Sequence, residues 1–275
     1  MRHDRRAWLW ASVVFLALFV YDGPVRGLLP GAALPALPGG LNGLTTLLVA
    51  FSVSHAAYAL GLRRTAVFFA ISAVVSWLFE QAGVSTGAVY GPYHYTDVLG
   101  PKLGDVPLLI PGAWFMMIYP GYVIAGLLVD GRPYGTRGSW ANVVWLAAAG
   151  AAVMTAWDVV VDPILSGPAF RAWIWEQGGP YFGVPLRNYA GWLVTTFVVY
   201  LLYRAWERGS AAPAGQLADR GSMAAWLPLV AYGAMLVSNL VSGGPPELAV
   251  IGPFVMGVPL LAAAARLSAS GTRST

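Results

Sequence analysis

Asp158 and Asp162 stand four residues apart in the run Thr155-Ala156-Trp157-Asp158-Val159-Val160-Val161-Asp162-Pro163. On a helix that spacing puts both carboxyls on one face, with Thr155 beside them. Two like charges so close cannot both ionise cheaply in a low dielectric, so one carboxyl is expected to keep its proton near neutral pH. The pair then offers a general acid next to a carboxylate. The same residues also fit a structural role, pairing with Arg171 or Arg187 or accepting loop amides, and the spacing alone supports either.

A third acid, Glu80, closes another apolar run, and Ser72, Ser76 and Glu80 share one helical face at intervals of four. A carboxylate at the edge of a span faces the bundle interior or reaches the interface, where water or an arginine receives it. The connection that follows, 83–107, holds Tyr90, Tyr93, His94, Tyr95, Asp97 and Asp105. A loop of this length is often functional. Its aromatics also suit an interfacial belt, as do Trp173, Trp175 and Tyr181 in the next long connection.

Other chemistries lack their residues. There is no cysteine, which removes disulfides, thiolate metal sites and a cysteine nucleophile. The histidines, His3, His55 and His94, have no paired-ligand spacing, and no metal is expected. His55, mid-span, reads as a hydrogen-bonded packing residue. No phosphate-binding glycine loop and no nucleophile elbow occur. The single lysine, Lys102, lies in a loop, so no span carries a Schiff-base amine.

These residues sit in a strongly apolar chain. Of 275 residues 57% are hydrophobic and 10% charged, against about 25% charged in soluble domains. A soluble globular fold and intrinsic disorder are both excluded. Apolar stretches fall near 7–21, 41–60, 65–82, 108–129, 140–161, 189–206, 223–241 and 248–267. Runs near 20 residues cross about 30 Å of hydrocarbon as helices. The expected fold is therefore all-α: a polytopic bundle of eight transmembrane helices, one domain over 1–267 with a polar, disordered tail at 268–275. The first run follows a basic start, Met1 to Arg6, as a signal peptide would. No small-residue cleavage site follows it, so it reads as a retained span.

Placing both termini in the cytoplasm puts 12 of the 16 basic residues on that side: Arg2, Arg5, Arg6, Arg63, Arg64, Arg132, Arg137, Arg204, Arg208, Arg220, Arg266 and Arg273. Arg26, Lys102, Arg171 and Arg187 fall opposite. This is the positive-inside bias of a cell-membrane protein. It places Glu80, Asp158, Asp162 and both long connections in the outer leaflet.

Three segments in order, Glu80–Tyr119, 157–163 (WDVVVDP) and 175–192 (WEQGGPYFGVPLRNYAGW), resemble the CruF-type carotenoid hydratases, a family that includes the bisanhydrobacterioruberin hydratases. The likeness covers roughly 45–210. Tyr90-Gly91 stands where members often carry Phe-Gly. The resemblance implies a hydro-lyase that hydrates the terminal double bond of an acyclic carotenoid end group to a tertiary alcohol. Lycopene, a monocyclic C40 or a C50 carotenoid, and water, would be its substrates, without a cofactor. Its setting would be the lipid bilayer beside other carotenoid biosynthesis enzymes, with no nucleic acid.

The residue chemistry accommodates such a reaction. Protonating a trisubstituted alkene needs a positioned acid, for which Asp158 or Asp162 is preferred and Glu80 is the alternative. The partner carboxylate offsets the cation and takes a proton from the attacking water. Trp157, Tyr93 and Tyr95 would face the cation, and Tyr181 and Asn188 would position water. His94, Asp105 and Trp114 complete the expected substrate-contacting set. Two other classes compete. One is an intramembrane prenyltransferase using the aspartate pair to hold magnesium and diphosphate. The other is a non-enzymatic carotenoid- or lipid-binding or transport protein.

Overall fold

The computed structural model describes residues 2–210 and 223–271, so Arg220, Arg273 and residues 272–275 of the polar tail lie outside the described residues. Among the described residues eight long helical units follow one another. α1 comprises Arg2–Val20, a wide π turn Tyr21–Val25 containing Pro24, and Arg26–Leu28. α2 is Gly40–Leu60, α3 Leu62–Thr86, α4 Ile110–Asp130, α5 Trp140–Leu165 and α6 Leu186–Gly209. α7 is Leu227–Val241, led in by the 3-10 turn Met223–Trp226. α8 runs through Leu248–Gly252, the π turn Pro253–Gly257 and Val258–Gly271. Residues 268–271, expected in the disordered tail, thus continue this last helix.

Seven of these units are long and apolar enough to cross a membrane. The protein is an all-α polytopic membrane bundle. The eighth expected span, α6, is helical for 24 residues but too polar to count with the others. The reason is its position. α6 packs along α5 and against α3, and its inward face buries Asn188, Thr195, Thr196, Arg204 and Glu207. On that face protein supplies the hydrogen-bond partners that lipid cannot, while Leu193, Val194 and Leu202 point outward.

Prolines inside two helices are accommodated by side chains from neighbours. Pro120 cannot donate to the carbonyl of Met116, and Ser52 Oγ of α2 donates to it instead at 2.9 Å. Pro163 likewise frees the carbonyl of Val159, which accepts from Tyr181 Oη at 3.2 Å. His55 is the expected packing residue: it is fully buried, with Nδ1 2.7 Å from Tyr119 Oη and Nε2 2.9 Å from the carbonyl of Ala224.

The bundle has two unlike ends. At one, Arg64 and Arg204 flank Glu207, Arg208 donates to the carbonyl of Gly138, and Arg5 donates to that of Tyr58. At the other, the two long connections form small ribbons. β1 (Tyr93–Tyr95) pairs antiparallel with β4 (Trp173–Trp175), matching Tyr93 to Trp175 and Tyr95 to Trp173. β2 (Lys102–Leu103) pairs with β3 (Val106–Pro107). Lys102 Nζ donates to the carbonyl of Tyr95 at 2.7 Å and ties the ribbons together. The β1–β4 ribbon lies across the ends of α3, α5 and α6 and roofs the site.

Candidate functional site

The last turns of α3 and α5 and the first turn of α6 meet beneath the ribbon around a cavity of about 70 Å³. Glu80, Asp158 and Asp162 all line it, and each is buried, at 4%, 0% and 1% exposure. The i, i+4 spacing on α5 puts the two aspartates on the inward face, and Ser72, Ser76 and Glu80 form a buried row on α3. Among the described residues no arginine or lysine lines the cavity. The aspartates form no ion pair with Arg171 or Arg187 among the described residues. Their partners are neutral donors.

Those donors are unequally shared. Glu80 Oε2 accepts from the hydroxyls of Tyr93 and Tyr95, the second at 2.8 Å, and Oε1 accepts from Trp114 Nε1 at 3.0 Å. Asp162 Oδ1 accepts from Trp173 Nε1 at 2.9 Å and Trp175 Nε1 at 3.1 Å. Asn188 Nδ2 bridges the pair, reaching Asp162 Oδ2 at 2.6 Å and Asp158 Oδ2 at 2.8 Å. Asp158 Oδ1 is buried and has no protein partner among the described residues. Glu80 and Asp162 each collect three donors, whereas Asp158 has one donor and one bare oxygen.

Aromatic rings form the walls. Trp114 and Trp192 stack at 4.1 Å, Trp157 lies 5.9 Å from Trp192, and Tyr93 lies 5.0 Å from Trp175. Burial, and then the nearby Glu80 carboxylate, push the Tyr90, Tyr93 and Tyr95 hydroxyls well above the usual phenol range. All three stay protonated, and Tyr93 and Tyr95 donate to Glu80. Tyr90 wedges between helices. Its hydroxyl lies 2.9 Å from Thr195 Oγ1, and a Cβ on Gly191 or Gly83 would fall 2.5 or 2.6 Å from its ring.

Of the residues singled out from the sequence, Glu80, Asp158, Asp162, Tyr93, Tyr95, Trp114, Trp157 and Asn188 line this cavity. Three do not. His94 points the opposite way from Tyr93 and Tyr95, because neighbouring strand residues alternate faces, and pairs with Glu176 at 2.6 Å. Asp105 accepts from Gln81 Nε2 at 2.7 Å on the exposed side. Tyr181 is occupied by the Val159 carbonyl. Four aromatic residues of the cavity fell outside the sequence-based set: Tyr90, Trp173, Trp175 and Trp192. The Trp-x-Trp spacing was a signal for two of them, since it mirrors Tyr-x-Tyr across a ribbon. Trp192 lies one helical turn beyond Asn188, on the same face.

The fold and site define a polytopic membrane protein with an acidic, aromatic-walled chamber inside one end of its bundle. The chain belongs to the family described as carotenoid biosynthesis proteins, whose sequence model matches residues 41–261. That region contains every cavity residue named above. Among curated proteins the chain is similar to the bisanhydrobacterioruberin hydratase of Haloarcula japonica, being 36% identical over 142 residues. The match spans 51% of this chain and 45% of that relative, less than half its length. No solved structure matches the chain.

Proposed function

We propose that this protein is a carotenoid hydratase of the cell membrane, adding water across the terminal double bond of an acyclic carotenoid end group. One observation carries the reading: three buried carboxyls share a single aromatic-walled cavity that has no cationic side chain. Pairing would make such acids structural. Left unpaired beside an apolar space, they suit protonation of a hydrocarbon.

The donor pattern separates their roles. Glu80 and Asp162 each have both oxygens engaged by donors, so neither presents a free oxygen to a guest. Asp158, with a bare Oδ1, is the group suited to hold a proton and aim it into the cavity. It gives that proton to the less substituted alkene carbon, leaving a tertiary cation at the dimethyl carbon. The faces of Trp157, Trp192 and Trp114 stabilise the cation, each contact contributing about 2 kcal/mol when desolvated. Water attacks the cation, and its surplus proton returns to the Asp158 carboxylate or passes to Asp162. The sum is alkene plus water to tertiary alcohol, with no cofactor consumed.

The substrate is lycopene, a monocyclic C40 or a C50 carotenoid, entering laterally from lipid. The arginine-rich end faces the cytoplasm and the acid cavity lies in the outer leaflet. The name of the Haloarcula japonica relative supports the hydration chemistry. Expression in a lycopene-accumulating bacterium tests it. Extracted pigment should gain the mass of one water per reacted end. Unchanged pigment with the protein present in the membrane would refute the assignment, and isoprenyl diphosphate turnover would replace it with prenyl transfer.

A further inference from the structure

Hydration consumes a water molecule, yet the acid cavity is small and its walls are mainly aromatic. A second, larger cavity of about 280 Å³ adjoins it between α1, α2, α5 and α7. The two share Leu41, Thr45, Met116, Trp157, Val161 and Leu165 as a common wall. Most of the second cavity is walled by apolar side chains, Phe19, Leu44, Leu48 and Ile164 among them, and its polar residues gather in a patch on the far side. Asp22, 6% exposed, pairs with Arg26 at 2.6 Å, and Arg26 is 30% exposed, which puts a mouth at the surface. Ser238, Ser242 and Asn239 line the same side. Asn239 Nδ2 is buried with no protein partner among the described residues.

We propose that this second cavity is a water chamber that holds and delivers the reacting water to the acid cavity through the wall at Thr45 and Trp157. It rests, for its role in turnover, on the hydratase reading. A water needs roughly 10–15 Å³ of such space and two to four polar partners. The chamber supplies room for many waters, and Asn239, Ser238, Ser242 and the Asp22–Arg26 pair supply partners. A hydrocarbon guest would leave the buried Asn239 amide without a hydrogen bond, which a water beside it supplies. Thr45, buried on the shared wall, carries the one hydroxyl among the shared lining residues; it donates to the Leu41 carbonyl at 2.9 Å, and its oxygen accepts from the passing water.

Radiolytic hydroxyl-radical footprinting of the full chain in bilayers tests this without a substrate. Met235 lines the chamber at 2% exposure, whereas Met117 and Met154 are fully buried and line neither cavity. Met235 should oxidise severalfold faster than Met117 and Met154. Equal, slow labelling of all three overturns the proposal. Asn239→Leu, close in size, should slow Met235 labelling and lower the hydration rate severalfold at unchanged carotenoid KM. Full hydration by that variant with labelling suppressed removes the chamber from the water path. Fast Met235 labelling in the parent protein with no hydrated pigment keeps the chamber and rejects the hydratase reading instead.

Discussion

Asp158→Asn is the sharpest perturbation of the site. The parent Asp158 accepts one hydrogen bond, from Asn188 at 2.8 Å, and its other oxygen faces no donor. An asparagine there keeps an acceptor for Asn188 and turns its amide N–H toward the bare position, so no donor is set against another donor. The stability change should stay below about 1 kcal/mol, the scale of a single neutral hydrogen bond. The proton is lost entirely. Removing a positioned general acid lowers a rate by about 10²–10⁴-fold, or about 3–5 kcal/mol on the barrier. Asp162→Asn behaves differently. Its two oxygens face Trp173 and Trp175 on one side and Asn188 on the other, so either amide orientation strands a buried donor. That costs about 1–3 kcal/mol of stability and loosens the ribbon. The assay is initial hydration rate in isolated membranes at matched protein level, with carotenoid KM and thermal stability recorded beside it. Asp158→Asn should lose kcat at nearly constant KM and stability, and Asp162→Asn should lose stability as well. Full turnover by Asp158→Asn would refute its role as the acid.

Two further outcomes follow from the walls of the cavity. Gly191→Ala places a Cβ 2.5 Å from the Tyr90 ring and 2.8 Å from the Val89 carbonyl and should displace the ring from Thr195, cutting hydration and lowering thermal stability, while Tyr90→Leu in the same chain should recover part of the stability but not the activity. Trp175→Phe keeps an aromatic wall but removes one of three donors to Asp162, so hydration should fall severalfold and thermal stability by about 1 kcal/mol, read in detergent melts.

The helices and the acids were readable from local pattern because both obey the helical period. Asp158 and Asp162 are one turn apart, Ser72, Ser76 and Glu80 are spaced by four, and both sets face inward as that geometry demands. α6 was readable as a helix but its polarity was not readable as burial. Arg204 and Glu207 look like the charged edge of a span, and only the bundle reveals them as interior. The ribbon was not legible. Pairing of Tyr93–Tyr95 with Trp173–Trp175 joins segments about 80 residues apart, and no local period reports such a contact. Without the strand, alternation could not separate His94 from its neighbours. Without the pairing, Trp173 and Trp175 looked like an interfacial belt, not donors to Asp162.

The contrast between the two ends of α6 bears on why the acids are there. At its arginine-rich end, Glu207 is as buried as the catalytic candidates, at 2%, but is fully matched: Arg64 lies at 3.3 Å, Arg204 at 3.8 Å, and Tyr122 and Thr136 donate at 2.8 and 2.6 Å. The chain therefore holds a buried carboxylate in the ordinary way, with cations, where only architecture is at stake. At the other end it leaves three buried carboxyls without a cation and gives one of them a bare oxygen. Buried acids without a counter-charge oppose folding. That contrast, with apolar space beside the cluster, supports the proposed use of these acids on a hydrocarbon.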